Sequence, residues 1–309
     1  MYRILAINPG STSTKIALFD DEKMVFKENL THEADKLAQF KEISEQLPYR
    51  TEMVIEALNK NNIPLETIDA FSGRGGGLVS VAGGTYEIND ILLHHAQIGY
   101  TMKHASVLGA QIAYNLAKIN NKKAYVVNPV TVDEKQEISR VTGIKGIYNQ
   151  SIFHALNQKE VAHQYANSIG KKYDELNLIV AHLGGGISVG AHKNGKIIEV
   201  NNALNGDGPF APTRSGKVPA IDLIEMCFSG KYSEEELKEL ITKKGGLVSH
   251  LGTSDARDVV KMIAEGNEYA KLVYDAMIYQ VAKEIGAQSV VLKLSLIHIS
   301  EPTRLLSIS

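Results

Sequence analysis

Two glycine-containing turns hold the residues best suited to chemistry. They are Asn8-Pro9-Gly10-Ser11-Thr12-Ser13-Thr14-Lys15 and His182-Leu183-Gly184-Gly185-Gly186-Ile187-Ser188. A tight hairpin like the first can aim successive backbone N–H groups and hydroxyls at one anion. Gly10 permits a positive φ and a close ligand approach. Ser11, Thr12 and Ser13 add donors, and Lys15 adds a compact positive charge. A polar loop of no function has the same composition, because Ser/Thr/Gly turns are common. In the second turn, three successive glycines are costly to order. Close approach of backbone to a phosphate is what such a run serves. His182 ends the preceding strand, where it could donate to a phosphoryl oxygen; a satisfied core histidine is the alternative.

Two arginines sit in comparable settings. Arg74 lies within Ser72-Gly73-Arg74-Gly75-Gly76-Gly77, and Arg214 within Pro212-Thr213-Arg214-Ser215-Gly216. Each offers a planar fork for a carboxylate or phosphate. Asp133 follows the strand-like Val130–Val132, where its carboxylate could hold Mg²⁺ or orient an acceptor. It reads equally as an N-cap or first-turn acid of a helix over Glu134–Arg140. His154 has little claim by itself.

These residues need strands that end at the turns. Ile4–Ile7, Lys15–Phe19 and Met24–Leu30 read as a hairpin and a third strand. Helices are predicted over Ala34–Leu47 and Thr51–Asn59 with Pro48 as a breaker between them. A strand follows at Ala70–Ser72, helices at Ile91–Tyr100 and Ser106–Asn120, and a strand at Ala124–Asn128. The second half restarts: Leu178–His182, Ile187–His192 and Ile197–Val200 are strands, with Asn194-Gly195 as a hairpin signal. Helices are predicted at Ala220–Phe228, Ser233–Lys243, Asp255–Glu265 and Tyr269–Ile285. Ser233 and Glu236 have capping-box spacing. A repeat this widely spaced implies two related α/β domains rather than a solenoid.

Composition excludes several classes. The 309 residues suit two domains. The formal net charge of -2 draws the chain neither to nucleic acid nor to anionic lipid. No apolar run has the length of a membrane span, no signal peptide is evident, and the lone Cys227 fits a reducing cytoplasm. No G-x-x-x-x-G-K-[ST], Rossmann fingerprint, H-R-D loop, G-x-S-x-G elbow or zinc spacing occurs.

The run Ile4–Lys15 resembles the N-terminal signature of the acetate and butyrate kinase family. Arg74-Gly75-Gly76-Gly77-Leu78 and the glycines after His182-Leu183 resemble its butyrate branch; acetate kinases usually place an asparagine where Gly185 stands. The likeness runs from Met1 to about Lys293. It implies the actin-like and sugar-kinase superfamily: two duplicated actin-like (ribonuclease H-like) α/β domains around a nucleotide cleft. Domains are expected at 1–149 and 150–293, the second incomplete. The implied reaction moves a phosphoryl group from ATP to a short-chain carboxylate, butyrate or 2-methylpropanoate, giving an acyl phosphate and ADP reversibly. Acetate or propionate is the alternative acceptor. By the resemblance, Asn8, Gly10, Ser11, Ser13 and Lys15 form the first phosphate and metal loop. Gly184, Gly185 and Gly186 form the second, opened by His182. Arg74 and Arg214 hold the carboxylate and the transferring phosphoryl, Asp133 and Asn8 place Mg²⁺, His154 is the other active-site histidine, and Asp255 and Arg257 contact nucleotide. A cytoplasmic homodimer or higher homo-oligomer is implied.

The last residues depart from this pattern. Leu294–Arg304 resembles the translation of a transposon adapter used in sequencing libraries, so 294–309 reads as a foreign tail, with a genuine disordered terminus as the alternative. Family members continue for some tens of residues with a Gly-Gly loop that contacts adenosine and a glutamate that helps place Mg²⁺. An inactive truncated fragment is therefore one rival reading. A nucleotide-binding sensor is another, although it could dispense with Arg74, Asp133 or Arg214, and all three are present.

Overall fold

The computed structural model describes residues 1–101 and 104–293. The adapter-like tail lies outside the described residues. The chain divides into two compact units. The first comprises Met1–Glu134 with His154–Lys159; the second comprises Lys135–Phe153 and the chain from Glu160 onward. The expected boundary at 149–150 falls within the Lys135–Phe153 stretch that groups with the second unit.

The first unit is built on a six-stranded sheet. In chain order its strands are β1 (Arg3–Pro9), β2 (Ser13–Asp20), β3 (Lys23–Thr31), β4 (Ala70–Gly73), β5 (Thr85–Glu87) and β6 (Lys123–Val127). The spatial order is β3-β2-β1-β4-β6-β5. β1, β2 and β3 form an antiparallel meander, whereas β1–β4 and β4–β6 pair in parallel. Alternation sends Leu5, Ile7, Ile16 and Leu18 to one face. There they meet α2 (Leu47–Lys60) and α4 (Val107–Ile119) through Val54, Leu58, Leu108, Ile112 and Leu116. Two shorter α-helices, α1 (Ala34–Leu37) and α3 (Asp90–Ile98), also precede α4 among the described residues.

Next come α5 (Glu137–Arg140) and α6 (Ala155–Ser168). The second unit then repeats the meander with β7 (Asn177–Leu183), β8 (Ile187–Lys193) and β9 (Lys196–Val200). Asn194 and Gly195 have φ of 53° and 72°, the double positive φ of a type I′ hairpin turn. Five helices follow among the described residues: α7 (Ala220–Phe228), α8 (Glu234–Thr242), α9 (Gly246–Leu251), α10 (Ala256–Ala264) and α11 (Glu268–Val291). Val273, Met277 and Val281 of α11 cluster with Ile187 and Val189 of β8. The Ser233–Glu236 capping box is present at the start of α8.

Some predicted elements differ. Pro48 does not break a helix; it sits in the first turn of α2, where its missing N–H costs nothing. The predicted helix over Ala34–Leu47 is only a four-residue turn of helix and a 3₁₀ segment at Ile43–Gln46. Val130–Val132 makes no strand, only an isolated bridge from Val132 to Val81. α6 was not predicted.

Behind the first turn, Thr14, His32 and Arg50 are all buried. Thr14 Oγ1 lies 2.8 Å from His32 Nε2, and Arg50 Nη1 donates to the same hydroxyl at 3.1 Å. Burial, then the Arg50 charge, lowers the His32 pKa to about 4. The Tyr49 ring meets His32 edge-on, and Lys36 lies over Tyr49. Above pH ~6.5 His32 is neutral folded and unfolded, and contributes no pH dependence. Between about 6.5 and 4 only the unfolded chain takes up the proton, so stability falls as pH falls. Urea titrations should show a loss on the order of 3 kcal/mol across that window. His32→Gln should flatten it relative to the parent.

Candidate functional site

Both glycine turns leave two successive backbone amides at the tip. In the first, Gly10 N–H donates to Ser13 O at 2.7 Å and His32 N–H to Thr12 O at 2.9 Å. The N–H groups of Ser11 and Thr12 find no partner among the described residues. In the second, Gly184 N–H donates to Gly186 O at 3.2 Å. The N–H groups of Gly185 and Gly186 are likewise without partners. Ser11, Thr12 and Gly185 are solvent-exposed and only Gly186 is buried, so three of the four amides are open to an incoming group, and successive outward amides make anion-binding concavities.

The glycines have different physical reasons. Gly10 does not use a positive φ, and a Cβ there would sit 3.5 Å from Ser13 O, an ordinary contact. A Cβ on Gly186 would lie 1.8 Å from Arg214 Nη1, so the guanidinium lies directly across this residue. A Cβ on Gly184 would come within 2.9 Å of His182 Nε2. Gly185 is roomy: its Cβ would meet only Thr213 Oγ1, at 3.8 Å. Thr213 closes this corner by donating its hydroxyl to Gly185 O at 2.8 Å. Arg214 follows in a tight turn, with Ala211 N–H donating to Arg214 O at 3.0 Å, and its Nη1 donates to Ala203 O.

In the first unit, Arg74 extends the parallel ladder, its N–H donating to Ile7 O at 2.8 Å. Its Nη1 donates to Asn8 Oδ1 at 3.2 Å, which brings two predicted site residues together. Burial lowers the Arg74 pKa, although a guanidinium remains charged. The glycines around Arg74 serve packing. A Cβ on Gly73 would lie 2.2 Å from Gly109 O of α4, and one on Gly76 would lie 2.6 Å from Val107. Lys15 pairs opposite Asn8 across the hairpin and is exposed.

Asp133 is half-buried, and its N–H donates to Val81 O at 2.8 Å. The capping alternative for it is removed, because α5 starts at Glu137 with Gln136 as its cap. His154 O accepts the Gln158 N–H in the first turn of α6. A buried ion pair follows both residues: Glu134 Oε2 and Lys159 Nζ are 2.9 Å apart. Glu134 also accepts the Gly83 N–H at 3.0 Å. This pair ties the segment carrying Asp133 to the helix that His154 precedes.

Asp255 and Arg257 satisfy each other. Asp255 is the N-cap of α10, accepting Arg257 N–H at 2.8 Å. The Arg257 guanidinium grips the same carboxylate through Nε and Nη2. That side-chain bond, with the backbone N–H, lowers the Asp255 pKa to about 2. The Arg257 side chain is 91% exposed.

No group of three or more His, Cys, Asp or Glu among the described residues could hold a metal ion. Mg²⁺ asks for less: one or two carboxylates, with phosphate oxygens and water completing its shell. Asp133 fits that donor set. Asn8 fits it less well, since its Oδ1 already accepts from a guanidinium.

Residues 141–299 match the model of the acetokinase family. Butyrate kinase 1 of Clostridium acetobutylicum is 50% identical over 293 residues, covering 95% of this chain and 82% of that protein. The chain belongs to the acetokinase family. Solved structures agree on the fold. An acetate kinase of Porphyromonas gingivalis is 21% identical with a TM-score of 0.75, covering 95% of this chain and 81% of that one. A propionate kinase of Francisella tularensis is 22% identical with a TM-score of 0.76, covering 94% and 81%. The fold is the mixed α/β fold of these kinases. The family uses ATP and Mg²⁺ generally, and no described helix is long and apolar enough to cross a membrane.

The contrast between Gly186 and Gly185 is testable. Gly186→Ala forces the Arg214 guanidinium away and should lower kcat/KM for carboxylate phosphorylation by ~100-fold or more. The urea midpoint should fall only modestly, because the displaced group is the end of a flexible side chain that gives up its bond to Ala203 O. Gly185→Ala should stay within about threefold of the parent, since its Cβ enters open space.

Proposed function

We propose that this acetokinase-family enzyme phosphorylates butyrate or a similarly small branched acid. The γ-phosphoryl of ATP passes in line to a carboxylate oxygen: the new O–P bond forms as the bond to the ADP oxygen breaks. The products are an acyl phosphate and ADP, and the step is reversible. A carboxylate is already nucleophilic, so no strong general base is needed. The difficulty is bringing anion to anion. The observation that carries this reading is the pairing, in each unit, of an unpartnered-amide turn with one guanidinium. In the first unit Arg74 adjoins Asn8, and in the second Arg214 lies across Gly186.

In this reading the amides of Ser11 and Thr12, and those of Gly185 and Gly186, donate to phosphate oxygens, with Lys15 adding charge. Ser13 lends its hydroxyl, and Gly10 and Gly184 shape the turns. Arg74 and Arg214 neutralise the carboxylate and the transferring phosphoryl, the usual division of labour in phosphoryl transfer. His182 and His154 act as further donors. Asp133 would hold Mg²⁺ together with phosphate oxygens, and Mg²⁺ would supply charge neutralisation there. Asp255 and Arg257 contact the nucleotide as an ion-paired unit.

Butyrate is preferred over acetate because the 50% identical relative is a butyrate kinase. A cytoplasmic homo-oligomer suits the rest: ATP is a cytoplasmic donor, and Ile221 and Phe228 of α7 are 67% and 87% exposed. Trapping the acyl phosphate with hydroxylamine tests the reaction. Butyrate and 2-methylpropanoate should give ATP-dependent hydroxamate faster than acetate at equal concentration. ATP binding without hydroxamate from any of these acids would end the kinase reading for this chain and leave a nucleotide-binding sensor or an inactive fragment.

A further inference from the structure

Arg50 lies on α2 and is fully buried. No Asp or Glu among the described residues forms an ion pair with it. A buried charge without a partner charge is costly unless polar groups surround it. Here the polar groups are those of the first phosphate turn. Arg50 Nη1 donates to Gly10 O at 2.9 Å and to Ser13 O at 3.4 Å, and Nη2 donates to Ser11 O at 3.1 Å. Nε and Nη2 are held from below by Gln46 Oε1, at 3.0 and 2.9 Å. A five-donor planar fork can serve several carbonyls in this way; an ammonium offers only three donors, without the plane.

Peptide planarity gives these contacts a consequence. In a trans peptide the C=O of one residue and the N–H of the next point in opposite directions. Drawing Gly10 O onto Arg50 therefore turns the Ser11 N–H away from Arg50. Drawing Ser11 O inward does the same for the Thr12 N–H. These are the two amides of the turn that lack partners. A turn whose own hydrogen bonds involve only the Gly10 and His32 amides would otherwise be free to rotate both peptide planes.

We infer that Arg50 is a positioning residue for phosphoryl transfer, a clamp that fixes the Gly10, Ser11 and Ser13 carbonyls inward so that the Ser11 and Thr12 amides stand ready for phosphate. This rests on the carboxylate-kinase reading for its catalytic consequence, but not for the clamp. Arg50 touches no reacting atom in this account. Its effect belongs to kcat, because preorganised donors act where charge develops.

The test combines amide exchange with kinetics on the full chain. In Arg50→Met, the Gly10 and His32 amides should exchange about tenfold faster, as expected when a buried hydrogen-bonded support is removed. Amides of Ile112 and Leu116 on α4 should be unchanged. The kcat for hydroxamate formation should fall ~100-fold, with KM for butyrate within about threefold, the split of an interaction acting in the transition state. Arg50→Lys should recover about tenfold of that loss, since it keeps the charge with fewer donors. Unchanged Gly10 and His32 exchange, or faster exchange with kcat intact, would overturn the inference. If Arg50→Met does not fold, Gln46→Leu decides. It removes the support beneath Nε and should speed the same two amides and lower kcat; no change in either overturns the clamp. A parent chain with no hydroxamate activity would defeat the kinase reading instead, and the exchange data alone would then judge the clamp.

Discussion

The amides of Ser11, Thr12, Gly185 and Gly186 have no hydrogen-bond partner among the described residues, and the turns are organised around that condition. An unpaired peptide group near the protein surface favours whatever rotation reaches a partner. Something other than its own hydrogen bond must hold it. In the first turn the hold comes from behind, where Arg50 takes three carbonyls. In the second it comes from the side, where Thr213 takes Gly185 O through both its hydroxyl and its N–H. The two solutions differ chemically, yet each turn closes the first hairpin of its own unit's meander.

The same economy of space explains the arginines. Arg74 leaves the end of β4 where Gly73 and Gly109 let α4 come close to the strand. Any larger residue at Gly73 would push the helix, and with it the loop bearing Arg74. Arg214 is placed by the opposite device: room is made at Gly186 for the guanidinium itself. The Glu134–Lys159 pair, with each side chain 7% exposed, fixes the segment after Asp133 to α6. Losing one partner of such a pair strands a buried charge.

Much of this was legible in the sequence. Both meanders showed because period-two alternation is interrupted by Gly or Asn-Gly, and the α8 capping box follows from Ser233 and Glu236 alone. Other features need tertiary information. Pro48 reads as a breaker or as a helix start, and only the helix that follows it decides. α6, Ala155–Ser168, has a mixed polar sequence with weak amphipathic period. Asp133 had a capping alternative until α5 was seen to begin later. The glycines beside Arg74 read only as its setting, whereas Gly73 and Gly76 make room for α4. Arg50 falls between the two predicted helices and drew no reading, since its contact with Gly10 O spans 40 residues. One local signal was available: its helical neighbours at i±3 and i±4 are Leu47, Gln46, Met53 and Val54, none of them acidic.

The central claim is that both turns are phosphate sites of one carboxylate kinase. Millisecond amide exchange with and without ATP, Mg²⁺ and butyrate measures it most directly. The expected result is slowed exchange at Ser11 and Thr12 and at Gly185 and Gly186, with the amides of the Asn194-Gly195 turn unaffected. Slowing at only one turn, or at neither while ATP demonstrably binds, would contradict it.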